Sequence, residues 1–270
     1  MEKMAELKLP KIGLGTMQSN SEKAKEAIKF GINYGFRFID TAQIYFNEKT
    51  VGKAIAESEV PREEIILATK LWLSNFNYTR AKKSTERSLK RLQLDYIDVL
   101  YIHWPIKKRS KLKSTLKAMD ELIEAGKIKH IAVSNFTPKL LDEAQTITEN
   151  HIIANQVEMH PWLQQRELLE HLTKNKIKLV AYFPLIHGRF NQVPELVSIA
   201  QKHKVSAAQV SLAWIMSKGA VPIPKSANVE HLKSNFEASK LKLDSEDIKL
   251  IDSIKKEKRF ADIPFIRPEW

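Results

Sequence analysis

Cysteine is absent from this chain of 270 residues, so neither disulfide bonds nor thiolate chemistry can contribute to its structure or activity. No apolar run approaches the roughly 18 residues that a membrane-spanning helix requires. The opening residues, MEKMAELKLP, contain no apolar signal core. We therefore expect a cytoplasmic protein that makes no membrane contact.

Acidic residues are in the minority, with 32 Asp and Glu against 44 Lys and Arg, and the formal net charge is +12. Such a balance permits a polyanionic partner. The densest basic segment, KKRSKLK (107–113), fits a solvated loop and helix start better than a polyanion contact. We predict no nucleic-acid partner and no metal ion, and we expect a monomer or a weak oligomer.

Linkers and low-complexity tracts are also absent, and short apolar runs alternate along the chain with amphipathic segments. Alternating strands and helices imply parallel strand pairing, because each return needs a crossover helix. Eight such units predict a closed (β/α)8 TIM barrel that spans 1–270 as a single domain with short substrate loops. The alternative is an open doubly wound sheet, but the first turn, GLGTMQ, lacks the third glycine of its dinucleotide-binding motif. The predicted strands are 12–15, 37–40, 65–70, 97–103, 130–134, 152–158, 178–182 and 220–225.

Helix ends are marked by residues that favour caps. Ser21, Thr79 and Thr137 stand where the amphipathic patterns begin, and each can accept a hydrogen bond from a first-turn N–H group. Pro138 suits the first helical position. Gly126 follows the helix of 112–125, where a left-handed residue often ends a helix.

Ionisable residues end three successive predicted strands: Asp40, Lys70 and His103, with Tyr45 on the loop after the first. Taken one at a time, each residue fits a purely structural role. Asp40 could cap a helix, Lys70 could extend its charged end to solvent, and His103 and Tyr45 could pack in the core. Together they favour a functional site, because catalytic side chains of such barrels lie at the carboxyl ends of the strands. A buried lysine and a buried aspartate also each need a partner of opposite charge.

These four residues fit proton donation by a phenol. The ammonium of Lys70 is expected to lower the pKa of Tyr45 from its ordinary value near 10, and Asp40 to keep Lys70 charged. His103 can then hydrogen-bond and orient the substrate oxygen. Such an acid suits an oxygen that gains negative charge, as in carbonyl reduction by a hydride source.

Motifs along nearly the whole chain resemble those of the aldo-keto reductase family, in the family's order and spacing. They are GFRFIDTAQIYFNE, ATKLW, LDYIDVLYIHWP, GKIKHIAVSNF, NQVEMHP, AYFPL and IPKSANVEHLKSN. The resemblance places the family's catalytic tetrad on Asp40, Tyr45, Lys70 and His103. It implies NAD(P)H-dependent reduction of aldehydes and ketones, with NADPH as the expected cofactor and NADH as the alternative. A cofactor-binding regulatory subunit, like the potassium-channel β subunits of similar fold, is the competing hypothesis.

The resemblance also implies a set of cofactor contacts. Ser134, Asn135 and Gln156 would hold the nicotinamide carboxamide, and Tyr182 would stack on its ring. Lys225 and Ser226 would contact the 2′-phosphate of NADPH. The complete predicted set is Gly15, Thr16, Asp40, Ser134, Asn135, Gln156, Tyr182, Leu185, Lys225, Ser226, His231 and Asn235.

Several positions depart from the family pattern. His231 stands where an arginine is frequent, which predicts a weaker preference for NADPH. Phe46 stands where glycine is usual, Met17 where an aromatic residue is common, and Phe183 where serine is frequent. The ring of Phe46 is expected either to line the pocket or to push its loop outward.

The substrate site is predicted from short loops and aromatic residues. The substrate contacts implied are Met17, Tyr45, Trp72, His103 and Trp104. Short loops predict an open pocket for small aldehydes or α-dicarbonyls. In the tail, Phe265 and Trp270 are expected either to fold over the mouth of the pocket or to pack on the outside.

Overall fold

The computed structural model describes residues 7–270 and contains one parallel sheet whose eight strands follow one another in chain order. The predicted lack of a signal core rests partly on MEKMAE (1–6), which lies outside the described residues. The strands are β1 (Leu14–Gly15), β2 (Phe38–Asp40), β3 (Ile66–Leu71), β4 (Ile97–Ile102), β5 (Ile128–Ser134), β6 (Ile152–Glu158), β7 (Lys178–Tyr182) and β8 (Val221–Pro222).

The sheet closes on itself between the first and last strands. The N–H of Gly13 donates to the carbonyl of Pro222 at 2.9 Å, and the N–H of Gly15 donates to the carbonyl of Pro224 at 3.0 Å. The (β/α)8 barrel prediction is therefore confirmed. The predicted strand 220–225 is shortened to β8, because Pro222 and Pro224 have no N–H to extend the ladder.

Helices alternate with the strands and cover the outside of the barrel. They are α1 (Glu22–Tyr34), α2 (Glu48–Ala56), α3 (Tyr78–Leu92), α4 (Arg109–Glu124), α5 (Pro138–Gln145), α6 (Arg166–Lys174), α7 (Pro194–His203), α8 (Ala207–Ser217), α9 (Val229–Glu237) and α10 (Ser245–Asp252). Among residues 7–270, no helix combines the length and the apolarity needed to cross a bilayer.

Two of the three predicted N-caps are confirmed. Ser21 Oγ accepts from the N–H of Ala24 at 3.2 Å, and Thr137 Oγ1 caps α5, which starts at Pro138. Gly126 is left-handed after α4, as predicted.

The predicted start of α3 at Thr79 is wrong. The N-cap is Asn77, whose Oδ1 accepts from the N–H of Arg80 at 2.9 Å. Asparagine is as good a cap as threonine and occurs two residues earlier, so Thr79 falls inside the first turn. The loop before α4 is also shorter than expected, since only 106–108 separate the HWP segment from Arg109.

Apolar side chains form two layers on either side of the sheet. The outer layer lies between strands and helices and contains most of the buried aliphatic residues. The inner layer fills the barrel, so the interior is a packed core and not a channel. A functional site is therefore expected at the edge formed by the carboxyl ends of the strands, which we call the carboxyl rim. The residues of the inner layer are Phe38, Ala68, Val99, Tyr101, Ala132, Ala154, Val180, Val221 and Ile223.

Close contact between α2 and α3 depends on Gly52. A Cβ atom at this position would lie 2.0 Å from the carbonyl oxygen of Leu92, which is backbone and cannot move aside alone. We expect Gly52→Ala to lower the free energy of unfolding by about 1–3 kcal/mol, measured by urea denaturation. Gly31→Ala is the matched helical control, because its Cβ would meet side chains and no backbone, the nearest being that of Leu14 at 3.0 Å. Equal midpoints for the two variants would contradict this account.

Candidate active site

A buried ion pair lies at the carboxyl rim between β2 and β3. Lys70 Nζ is 2.5 Å from Asp40 Oδ1 and also donates to the carbonyl of Thr41 at 2.8 Å. Gln156 Nε2 donates to Asp40 Oδ2 at 2.7 Å. In the β2–β3 register Asp40 is opposite Ala68, so Lys70, two residues further on, points to the same inner face. Strand pairing thus brings the two charges together.

Burial opposes both charges of this pair. It raises the pKa of Asp40, while the charge of Lys70 and the hydrogen bond from Gln156 act to lower it. Burial likewise lowers the pKa of Lys70, and Asp40 opposes that change. Each residue therefore depends on the other to remain ionised, as expected from the sequence.

Tyr45 ends a 3-10 turn, Gln43–Tyr45, that follows β2. Lys70 Nζ lies 5.3 Å from the centre of its ring. Burial, followed by the negative charge of Asp40, raises the pKa of Tyr45 well above 10. The expected lowering by Lys70 is thus not found in this structure, because burial of the phenol and the charge of Asp40 both favour the protonated form.

His103 follows β4 and lies between two aromatic rings. Its ring centre is 5.9 Å from that of Tyr45 and 5.3 Å from that of Trp72, with nearly perpendicular planes in both cases. Burial, followed by the charge of Lys70, lowers the pKa of His103 well below 6.5. Its buried Nδ1 has no hydrogen-bond partner in 7–270. The imidazole is therefore neutral at neutral pH.

Gln43 holds the turn that carries Tyr45, and the sequence did not reveal this role. Its Oε1 accepts from the N–H of Trp72 at 3.1 Å and from Asn75 Nδ2 at 2.8 Å. Gln43 is buried, so these bonds fix the turn against the segment after β3. The partners lie about thirty residues away in the chain, and no local pattern marks them.

Asn47 fixes the other side of the same turn. Its Oδ1 accepts from Thr41 Oγ1 at 2.6 Å, and its Nδ2 donates to the carbonyl of Thr16 at 2.6 Å. Thr16 Oγ1 in turn donates to the carbonyl of Asp40 at 2.9 Å. The turn with Tyr45 is thus connected to β1 and β2 through buried side chains.

Phe46 points outward. It adopts φ 55°, in the left-handed region that favours glycine, and its side chain is 80% exposed. This conformation ends the 3-10 turn and explains why glycine suits the position. Of the two expectations for Phe46, the first is wrong, because the ring does not line the cavity.

One cavity of about 840 Å³ opens at the carboxyl rim of the barrel. Lys70 lies beneath it, outside its lining. All the other residues predicted from the sequence line it: Gly15, Thr16, Met17, Asp40, Tyr45, Trp72, His103, Trp104, Ser134, Asn135, Gln156, Tyr182, Leu185, Lys225, Ser226, His231 and Asn235.

The cavity also has lining residues that were not predicted as contacts. Half of them lie in the loop after β7 and in the C-terminal segment, where the sequence carries no polar motif. They include Phe183, His187, Phe190, Ser234, Ala261 and Ile263. Neither tail aromatic belongs to the lining: Phe265 is 91% exposed, and the ring of Trp270 packs 3.7 Å from the guanidinium carbon of Arg259.

Polar side chains at the ends of β5, β6 and β7 form a connected group. Tyr182 Oη donates to Asn135 Oδ1 at 2.8 Å, and Asn135 Nδ2 donates to the carbonyl of His103 at 3.1 Å. Ser134 Oγ donates to the carbonyl of Gln156 at 2.8 Å. These amide and hydroxyl groups face the cavity with Tyr45, so they offer donors and acceptors for a polar planar ligand.

The cavity also reaches the segment between β8 and α9. Lys225 and His231 are exposed there, Ser226 is partly buried, and Asn235 is buried. Asn228 caps α9 by accepting from the N–H of His231 and of the preceding residue. Cationic and hydroxyl groups at this end suit an anionic group of a ligand.

Comparison with known proteins agrees with this geometry. The model of the Aldo/keto reductase family matches residues 11–256. Glyoxal reductase of Bacillus subtilis (strain 168) is 40% identical over 259 residues, which cover 96% of this chain and 93% of the relative. Methylglyoxal reductase DkgB of Escherichia coli O157:H7 is 36% identical over 264 residues, covering 97% and 99%.

A solved structure shares the architecture. The crystal structure of MGS-M4, an aldo-keto reductase enzyme from a Medee basin deep-sea metagenome library, superposes with a TM-score of 0.91 at 39% identity and covers 94% of both chains. The fold and site therefore define an oxidoreductase that reduces carbonyl compounds with a nicotinamide cofactor. The chain belongs to the aldo/keto reductase family. The regulatory-subunit alternative is not favoured.

Proposed function

We propose that this protein reduces small aldehydes and α-dicarbonyls with NADPH, with Tyr45 as the proton donor. The observation that supports this most is a single cavity lined by Tyr45 and His103 above the buried Asp40–Lys70 pair, and by Lys225 and Ser226 elsewhere. One site thus contains groups for the reacting carbonyl and groups for an anionic cofactor.

The proposed roles follow from the chemistry of these side chains. A reduced nicotinamide, when bound, would supply hydride to the carbonyl carbon. Tyr45 gives its proton to the carbonyl oxygen as negative charge develops there. Neutral His103 hydrogen-bonds the same oxygen and orients the substrate. Lys70, held by Asp40, places positive charge beneath the phenol, where it stabilises the phenolate left after proton transfer.

The chemistry of the donor groups fits the proposed cofactor. The amide and hydroxyl groups of Ser134, Asn135 and Gln156 can bind a carboxamide, and the ring of Tyr182 offers a flat apolar face. Asn135 and Gln156 already bond to protein groups, so a carboxamide would share or replace those bonds. Lys225 is suited to a 2′-phosphate, which is present in NADPH and absent from NADH.

Substrate size is proposed from the walls of the cavity and from the relatives. Trp72 and Trp104 provide apolar surface close to His103. The two named relatives carry names that refer to glyoxal and methylglyoxal, which are small α-dicarbonyls. Both observations support small carbonyl compounds as substrates.

A carbonyl panel with NADPH and NADH tests the proposed function and its cofactor. We expect oxidation of NADPH that depends on a small aldehyde or α-dicarbonyl. Lys225→Met should raise the KM for NADPH about tenfold and change that for NADH little, because only NADPH loses a charged contact.

The control for this experiment removes a different positive charge. Lys233 lies on α9, pairs with Glu230 at 2.9 Å and does not line the cavity, so Lys233→Met should leave both KM values unchanged. Better use of NADH than NADPH by the unmodified protein would contradict the assignment of Lys225.

We also propose that residues 1–270 form a single domain that works in the cytoplasm as a monomer or weak oligomer. The lack of cysteine supports a reducing compartment. Size-exclusion chromatography at several protein concentrations tests the oligomeric state.

A further inference from the structure

Glu158, the last residue of β6, is a rim carboxylate that has no part in the proposed chemistry. Its side chain is fully buried, and within 7–270 the residue at ion-pair distance is His160, with Nε2 2.8 Å from Oε1. The main-chain N–H groups of Phe260 and Ala261 donate to its two oxygens at 2.8 and 2.7 Å. A buried carboxylate needs such donors, so Glu158 and the C-terminal segment stabilise each other.

Other contacts hold the same segment, 258–263, which we call the C-terminal wall. The N–H of Lys258 donates to the carbonyl of Trp162 at 2.8 Å. The ring of Phe260 packs against the ring of His160, with centres 5.5 Å apart, and against that of His187, 5.1 Å apart. The wall is therefore attached to the rim after β6 and to the loop after β7.

This attachment places apolar side chains at the cavity. Ala261 directly follows Phe260 and lines the same cavity as Tyr45, and so does Ile263. Ile263 is 44% exposed, so the wall lies at the opening and not in the interior. The wall thus forms part of the boundary of the cavity that Tyr45 also lines.

We propose that Glu158 is a positioning residue that limits the size of the carbonyl substrate by holding the C-terminal wall at the cavity. The inference rests on the proposed function. A carboxylate offers an acceptor oxygen to each of the two N–H groups. A carboxamide of the same shape would present an NH2 group to one of them and leave that donor unpaired.

Glu158→Gln is the first test, with propanal and 4-nitrobenzaldehyde as small and bulky substrates. We expect kcat/KM for propanal, divided by kcat/KM for 4-nitrobenzaldehyde, to fall about tenfold in this variant. A change of that size in discrimination between substrates is typical when a pocket loses about one well-packed methylene contact. The change should lie in KM, with kcat altered less than about threefold, because the wall touches substrate but not the transferred proton. An unchanged ratio would overturn the role in substrate size.

Limited trypsin digestion provides a readout that does not depend on activity. Lys255, Lys256, Lys258 and Arg259 are cleavage sites in or beside the wall. Mass spectrometry measures the rate of cleavage at these sites. We expect that rate to become at least about tenfold higher in Glu158→Gln, because the variant loses a buried acceptor that holds the segment by a hydrogen bond. Unchanged cleavage, or faster cleavage spread over the whole barrel, would overturn the anchoring role.

Ile263→Ala is the matched variant, because it shortens the wall but keeps its anchor. It should shift the substrate ratio in the same direction and leave the cleavage rate unchanged. If Glu158→Gln does not fold, Phe260→Ala takes its place, with both readouts expected to change. A wild-type protein that turns over neither aldehyde would contradict the proposed function, whereas the digestion would still test the anchor.

Discussion

Lys70→Met is expected to lower the free energy of unfolding by about 3–5 kcal/mol and to reduce turnover at least about a hundredfold. The loss of stability has a direct cause: Asp40 would remain buried with no positive partner, and breaking a buried ion pair from one side costs about that amount. The loss of turnover follows because no charge would remain beneath Tyr45 to stabilise its phenolate. Urea denaturation and the rate of NADPH oxidation measure the two effects.

The double variant Asp40→Asn/Lys70→Met separates stability from catalysis. It removes both charges, so no ion is left buried alone, and it should recover most of the lost stability without recovering turnover. Recovery of turnover in the double variant would show that the pair serves only to fold the protein. Full stability in Lys70→Met alone would mean that Asp40 is not ionised in the native protein.

Alternation of strands and helices was enough to predict the barrel, since each strand signal lies close to an observed strand. The rim residues followed from the same reasoning, because parallel strands that end in polar residues bring those residues to one edge. Asp40 and Lys70 meet for this reason alone. Errors arose where a local signal was ambiguous, as at Asn77 and Thr79, two good caps within three residues.

Contacts between residues that are far apart in the chain could not be predicted from the sequence. Nothing near Gln43 predicts its bond to the N–H of Trp72, and nothing near Glu158 predicts two donors from a tail about a hundred residues further on. Main-chain donors carry no residue-type signal, so such partners become visible only once the fold is known. The pKa of Tyr45 was misjudged for a related reason, because its direction depends on burial as well as on the nearest charge.

Tyr45→Phe is expected to reduce kcat for a small aldehyde by about 10²–10⁴-fold, the usual contribution of a positioned proton donor. The substitution removes one hydroxyl and keeps the ring, so the Kd for NADPH, measured by fluorescence titration, should stay within about twofold. Tyr101→Phe is the matched control. Its ring also lies near Lys70, 5.7 Å from Nζ, but the residue belongs to the inner barrel layer and not to the cavity lining. Turnover by Tyr101→Phe should change less than about threefold.

The pH profile of the unmodified protein tests the state of the same phenol. Proton donation requires protonated Tyr45, and a pKa raised above 10 keeps it protonated until the pH exceeds that value. His103 has its pKa lowered below 6.5, so it is neutral above that pH. For an aldehyde substrate, kcat/KM for reduction should therefore be flat from pH 6.5 through neutrality, and a fall in the alkaline range should come from Lys70, whose pKa burial lowers from 10.5. A pKa of Tyr45 lowered by Lys70 would instead make kcat/KM fall as the pH rises through neutrality.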